Sequence, residues 1–218
     1  MNIESETTLA EFHGWTLRQR ESEGSSARLL LLLHGWTGDE NSMWVFARDL
    51  PRHYWIFAPR APHPTRPSGY SWRLSSPDLG DRPSLDDLRS SGTDLISLVD
   101  AYRLEQQIAD DTFDLMGFSQ GAALACVVAL LFPQRIGKLG VLAGFVPKGA
   151  EALVAHRPLE GKAVFLAHGT QDKMVGIEDA ERAAQLLETA GAFVTPCFDD
   201  VGHKLSARCL RGLHSFFT

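Results

Sequence analysis

The 218 residues are 44% hydrophobic and 22% charged, with a net charge of −6, which is enough apolar content for one domain spanning residues 1–218 to bury a large core. The acidic balance, without any clustered run of Lys and Arg, argues against nucleic acid as a partner, because that affinity rests on cations that neutralise phosphates. The longest apolar stretch, 122–132, ends at Pro133 and is too short for the roughly 20 residues of a membrane span. The polar, acidic start lacks the features of a secretory signal, so the expected location is the cytoplasm.

Taken in chain order, apolar runs of strand length alternate with longer amphipathic segments, which is the rhythm of an α/β fold with a mostly parallel sheet. The alternating stretch 12–19 predicts an antiparallel edge strand. The continuous run 27–33 predicts a central parallel strand covered on both faces. A further strand is expected at 54–58. Residues 59–69 carry four prolines and predict a shaped loop, a candidate pocket wall because loops leaving strand carboxyl ends form the ligand crevice of open parallel sheets. Ser84, with Asp87 three residues on, reads as the N-cap of a long helix reaching about residue 109. Strands at 113–116, 139–143, 163–167 and 192–198 are expected between helices at 119–132, 177–190 and 204–217.

Gly117-Phe118-Ser119-Gln120-Gly121 lies between the strand 113–116 and the apolar helix. This is the context of a nucleophile elbow, where serine sits on a sharp strand-to-helix turn and flanking glycines let the two backbones approach. In that architecture the acid and then the histidine follow the nucleophile in the chain. Four downstream histidines qualify: His156, His168, His203 and His214. His203, on a loop between the last strand and the last helix, is favoured as the base. His214 falls within a helix, His156 within a polar stretch, and His168 reads as structural. Asp172, in the loop after the strand 163–167, is the favoured acid. Asp199 and Asp200 are rivals on the same loop as His203. An oxyanion would be met by the backbone N–H of Gln120 and by that of Trp36 in His34-Gly35-Trp36-Thr37-Gly38. His34 more often fixes such a loop than carries a proton.

Cys126, Cys197 and Cys209 are an odd number at spacings that suit neither a disulfide framework nor a zinc site, so reduced, buried thiols are expected. No His-x-x-x-His pair is present, and neither a metal nor an organic cofactor is implied.

The combination of Leu33-His34-Gly35, Ala58-Pro59-Arg60-Ala61-Pro62, Gly69-Tyr70-Ser71-Trp72, the Ser119 pentapeptide, His168-Gly169-Thr170-Gln171-Asp172 with Val175, and Gly202-His203 resembles the phospholipase/carboxylesterase family. That family includes acyl-protein thioesterases and is related to dienelactone hydrolase. The resemblance implies the α/β-hydrolase fold, a triad of Ser119, Asp172 and His203, and an oxyanion hole at Trp36 and Gln120. It also implies that Trp72 and Met174 line the substrate pocket, and Tyr70 is expected beside them. Trp36 and Thr37 intervene before Gly38 where the thioesterases reach glycine sooner, and the nucleophile is serine where dienelactone hydrolases use cysteine. The expected activity is hydrolysis of small carboxylic esters through an acyl-enzyme. Thioester or lysophospholipid cleavage on the same site is the alternative, with a ligand-binding protein without turnover behind it. The implied partner is a small ester substrate, with a homodimer left open.

Overall fold

The computed structural model describes residues 6–23, 27–74 and 82–218; the extreme N-terminal residues 1–5, part of the polar start read for a signal, lie outside them. Among the described residues, ten strands and six α-helices follow one another as β1 (Thr8–Phe12), β2 (Trp15–Arg20), β3 (Arg28–Leu33), α1 (Trp44–Ala47), β4 (Tyr54–Pro59), β5 (His63–Pro64), β6 (Tyr70–Ser71) and α2 (Leu85–Glu105). The second half continues with β7 (Phe113–Phe118), α3 (Gln120–Leu131), β8 (Ile136–Leu142), α4 (Glu151–Val154), β9 (Ala163–Gly169), α5 (Ile177–Thr189), β10 (Phe193–Asp199) and α6 (Ala207–Phe217). Eight strands form one sheet in the order β1-β2-β4-β3-β7-β8-β9-β10. All pairings from β4 to β10 are parallel, while β1 and β2 are antiparallel additions at one edge. The fold is that of an α/β hydrolase.

The run Leu29 to Leu33 shows why the central strands are apolar throughout. Leu29, Leu31 and Leu33 join the core beneath α2, α3 and α5, whereas Leu30 and Leu32 join the opposite core against α1 and α6. Side chains alternate across a strand, so a sheet covered on both faces needs every position apolar. α3 is buried at every position from Gln120 to Leu130, which accounts for its lack of an amphipathic pattern.

The expected edge strand at 12–19 is instead the hairpin β1-β2. His13 and Gly14 both take positive φ, 47° and 81°, a turn geometry that suits the twist of a two-residue hairpin. The proline-rich segment also contains a short hairpin, β5 with β6. A second correction concerns the thiols: Cys197 on β10 and Cys209 on α6 form a disulfide, because the helix folds back onto its own strand. Cys126 stays free inside α3, and burial pushes its thiol up to about 12.

The amino ends of the central strands meet at Asp114, which is fully buried on β7. It takes two bonds of 2.7 Å from the Arg28 guanidinium, one of 2.6 Å from the Tyr54 hydroxyl and one of 2.6 Å from Lys138 N–H. The carboxyl ends of the parallel strands are thereby left to present loops at the other edge. Among the described residues no helix is long and apolar enough to cross a membrane.

Candidate active site

Ser119 joins β7 to α3 at φ 54° and ψ −116°, a strained conformation for a residue with a side chain, costing on the order of 1–3 kcal/mol. Its own backbone anchors the turn: Ser119 N–H donates to Leu142 O at 2.9 Å, and Ser119 O accepts from Ala122 and Ala123 N–H. The flanking glycines are required by contact. A Cβ on Gly117 would lie 2.2 Å from Gly121 O, and one on Gly121 would lie 2.2 Å from Leu33 O. Helix and strand therefore touch backbone to backbone, and the serine on the sharp turn between them is half-buried.

The loop leaving β3 passes beside this turn, since a Cβ on Gly35 would sit 3.3 Å from Ser119 Cβ. His34 organises it. Its Nε2 accepts Ala61 N–H at 3.0 Å, so the ring proton is on Nδ1, which donates to Gly35 O at 2.7 Å. Burial lowers the His34 pKa below 6.5 despite that bond to Gly35, and the ring stays neutral. Further along, Thr37 N–H donates to Tyr70 O and Gly38 N–H to Gly35 O, each at 3.0 Å. Trp36 N–H has no such acceptor among the described residues. Gln120 N–H is likewise open, because the first N–H groups of a helix lack intrahelical partners.

Trp72 is a correction. Expected to line the pocket, it is fully buried, and its indole N–H donates to His34 O at 2.7 Å. The reason is the flanking hydrogen bonds: Gln120 Oε1 accepts Trp72 N–H at 3.0 Å, and Ser91 Oγ on α2 donates to Trp72 O at 2.5 Å. These bonds hold residues 71–72 against the start of α3 and against α2, with the indole turned inward. Tyr70 is half-buried under the Arg60 guanidinium, 4.8 Å from its ring centre. Arg60 in turn makes a paired contact of 2.7 and 2.9 Å with the buried Glu40 carboxylate, tying the β4 loop to the β3 loop. Sequence reasoning missed Glu40; an acidic residue following an ordered glycine turn was its only signal.

On the other side, the loop after β9 presents Asp172 and the loop after β10 presents His203. The two meet, with His203 Nδ1 donating to Asp172 Oδ2 at 2.6 Å. Asp172 Oδ1 accepts Met174 N–H at 2.9 Å and Val175 N–H at 3.0 Å. Burial raises its pKa, but the bonds from His203, Val175 and Met174 outweigh that, and the carboxyl lies below the ordinary aspartate value. The rival acids are engaged elsewhere: Asp199 pairs with Arg208, and Asp200 accepts from Thr170. His214 bonds Phe46 O on α1, and His156 is exposed. The Phe118 ring, one residue before the serine, packs 4.9 Å from the His203 ring. Met174 is exposed, as is the Trp36 side chain at 56%. No group of three or more His, Cys, Asp or Glu side chains that could hold a metal occurs among the described residues.

The fold, with a serine elbow and a carboxylate-bound histidine on loops at one sheet edge, is that of a hydrolase of the α/β-hydrolase class. The chain belongs to the phospholipase/carboxylesterase family, whose model matches residues 19–218. Carboxylesterase SOBER1 of Arabidopsis thaliana is 32% identical over 120 residues, 52% of this chain and 52% of that protein, so the match spans about half its length. Acyl-protein thioesterase 1 of Yarrowia lipolytica is 27% identical over 161 residues, 67% of this chain and 70% of that protein. The crystal structure of the Bacillus cereus carboxylesterase superimposes with a TM-score of 0.81 at 22% identity, covering 94% of each chain. That last likeness bears on the fold.

Proposed function

We propose that this ester hydrolase is a serine carboxylesterase with Ser119 as nucleophile, His203 as base and Asp172 as the orienting acid. The observation that carries the reading is the 2.6 Å bond from His203 Nδ1 to a carboxylate on a different strand end, beside the Ser119 turn. Asp172 as an ionised acceptor keeps the ring proton on Nδ1, which leaves Nε2 as the base. Ser119 Oγ attacks the ester carbonyl while His203 takes its proton. The resulting oxyanion is met by Trp36 N–H and Gln120 N–H, and its collapse expels the alcohol with the proton returned by His203. Water then repeats the sequence on the acyl-enzyme. The residues need no metal or organic cofactor for these steps.

Small carboxylic esters are the proposed substrates. Trp36 stands on the oxyanion loop with its indole exposed, and an indole of that size lying over the nucleophile would disfavour long acyl chains. An acyl thioester would use the same groups, and the likeness to a yeast acyl-protein thioesterase keeps that substrate as the second reading. Turnover of p-nitrophenyl esters from acetate to palmitate is expected to peak at short chains. Ser119→Ala is expected to lower kcat by about 10⁴-fold or more with unchanged thermal unfolding. A phosphonate ester should label the wild type alone. Retention of several per cent of activity by folded Ser119→Ala would place the chemistry elsewhere, and a steady rise beyond octanoate would move the substrate toward long-chain lipids.

A further inference from the structure

The strand that leads into the acid loop carries a histidine that the steps above leave unused. His168 is the penultimate residue of β9, and its side chain is wholly buried. Nε2 lies 2.9 Å from Val175 O and 3.5 Å from Asp172 Oδ2. Nδ1 is buried without a hydrogen-bond partner among the described residues. A carbonyl oxygen only accepts, so Nε2 carries a proton and donates it toward Val175 O.

That placement matters because of how the acid is gripped. Asp172 Oδ1 is held by the N–H groups of Met174 and Val175, so the carboxylate turns with the 172–175 backbone. The same Val175 that donates to Oδ1 accepts the His168 proton through its carbonyl. A rotation of this turn would carry Oδ2 away from His203 Nδ1.

We propose that His168 is a positioning residue for the acid: its Nε2–H, bonded to Val175 O alongside Asp172 Oδ2, locks the 172–175 turn in the orientation that delivers Oδ2 to His203. The inference rests on the triad reading above. His168 touches neither substrate nor reacting atoms, and it acts through Asp172 alone.

Two amide variants separate position from mere filling of the site. In His168→Gln the side-chain amide nitrogen reaches about as far as Nε2, whereas in His168→Asn it reaches only as far as Nδ1. His168→Gln is expected to keep kcat within about threefold of wild type. His168→Asn is expected to lose on the order of 10- to 100-fold in kcat with KM within twofold, the cost of a misplaced catalytic group. The far-downfield proton resonance of the His203–Asp172 bond should persist in His168→Gln and vanish or shift in His168→Asn. Equal kcat and an unchanged resonance in both variants would overturn the proposal, as would a His168→Gln protein that is folded but as impaired as His168→Asn or that fails to fold. Ser119→Ala, assayed alongside, isolates the underlying reading. If it retains turnover, the triad reading fails and takes this role with it; if it is inactive, the outcome for His168 stands by itself.

Discussion

Trp72 shows how one side chain can serve a site it does not touch. Its indole N–H is the donor to His34 O, its backbone N–H binds Gln120 Oε1, and its backbone carbonyl accepts from Ser91. One residue thus ties the β3 loop, the start of α3 and the middle of α2 together around Ser119. Trp72→Phe keeps most of the ring but removes the donor, leaving a buried carbonyl unpaired at a cost of about 1–3 kcal/mol. The expected outcome is a lower Tm together with a fall in kcat of about tenfold or more at nearly constant KM, because the shifted loop carries the proposed Trp36 donor. Steady-state kinetics below the unfolding range check this. A kcat within twofold of wild type would mean that Ala61 and Gly35 hold His34 without help. The aromatic Gly-Tyr-Ser-Trp motif was legible as part of the site region, but whether an indole faces a cavity or a carbonyl depends on contacts 38 residues away in the chain.

At the scale of elements, the segments with the strongest local reasons were the most readable. α2 opens with Ser84 Oγ accepting Asp87 N–H at 3.3 Å while Asp87 Oδ2 accepts Ser84 N–H at 2.7 Å, a reciprocal cap written in the spacing itself. α6 begins later than its apolar pattern, because Ser206 takes the cap position and accepts Cys209 N–H at 3.1 Å. The loop 34–38 combines local bonds at Gly35 O with the distant anchor that Ala61 N–H makes to His34 Nε2, and the dependence on His34 is titratable. The folded ring is neutral with a pKa lowered below 6.5, chiefly by burial, whereas the unfolded ring regains its ordinary value. Below about pH 6.5 the unfolded chain therefore binds a proton that the folded chain refuses. The neutral fold is fully favoured above that pH, and stability falls as the pH drops toward the folded pKa, by at most about 1.4 kcal/mol per pH unit. His34→Gln, which cannot gain this proton, should show a shallower loss between pH 7 and 5 in urea unfolding. Identical pH slopes for the two proteins would contradict a buried neutral His34.

Across the whole molecule, the sheet has a locked end and a working end. The Asp114 cluster pins the amino ends of β3, β4, β7 and β8, while the carboxyl ends release the loops bearing His34, Ser119, Asp172 and His203. Much of this could be read from order alone, since parallel strands place successive loops at one edge and the candidate residues fall after β3, β7, β9 and β10. The cross-link between Cys197 and Cys209 could not, because its spacing of 12 acquires meaning only once α6 folds back on β10.

That cross-link closes the segment containing His203, and it raises the question of whether it serves the site or the fold. His203 is already fixed by the Asp172 bond and by the Phe118 ring, and its loop is fastened by Gln171 N–H to Val201 O at 3.0 Å and by the Asp199–Arg208 pair. A native loop held at so many points gains little further order from one covalent bond. The unfolded chain gains a closed loop, however, and a loop of about this size is worth roughly 3 kcal/mol by chain entropy. Cys209→Ser is therefore expected to lower the unfolding free energy by about 2–3 kcal/mol, and reductant should do the same to the wild type but not to the variant. Below the transition kcat should stay within twofold, since the folded loop keeps its other attachments. Thiol titration of the unreduced wild type in denaturant should find only Cys126, and urea unfolding with and without reductant gives the stability. Three titratable thiols would restore the expectation of reduced cysteines, and a large loss of kcat at unchanged stability would mean that the bond orders the His203 loop rather than restraining the unfolded chain.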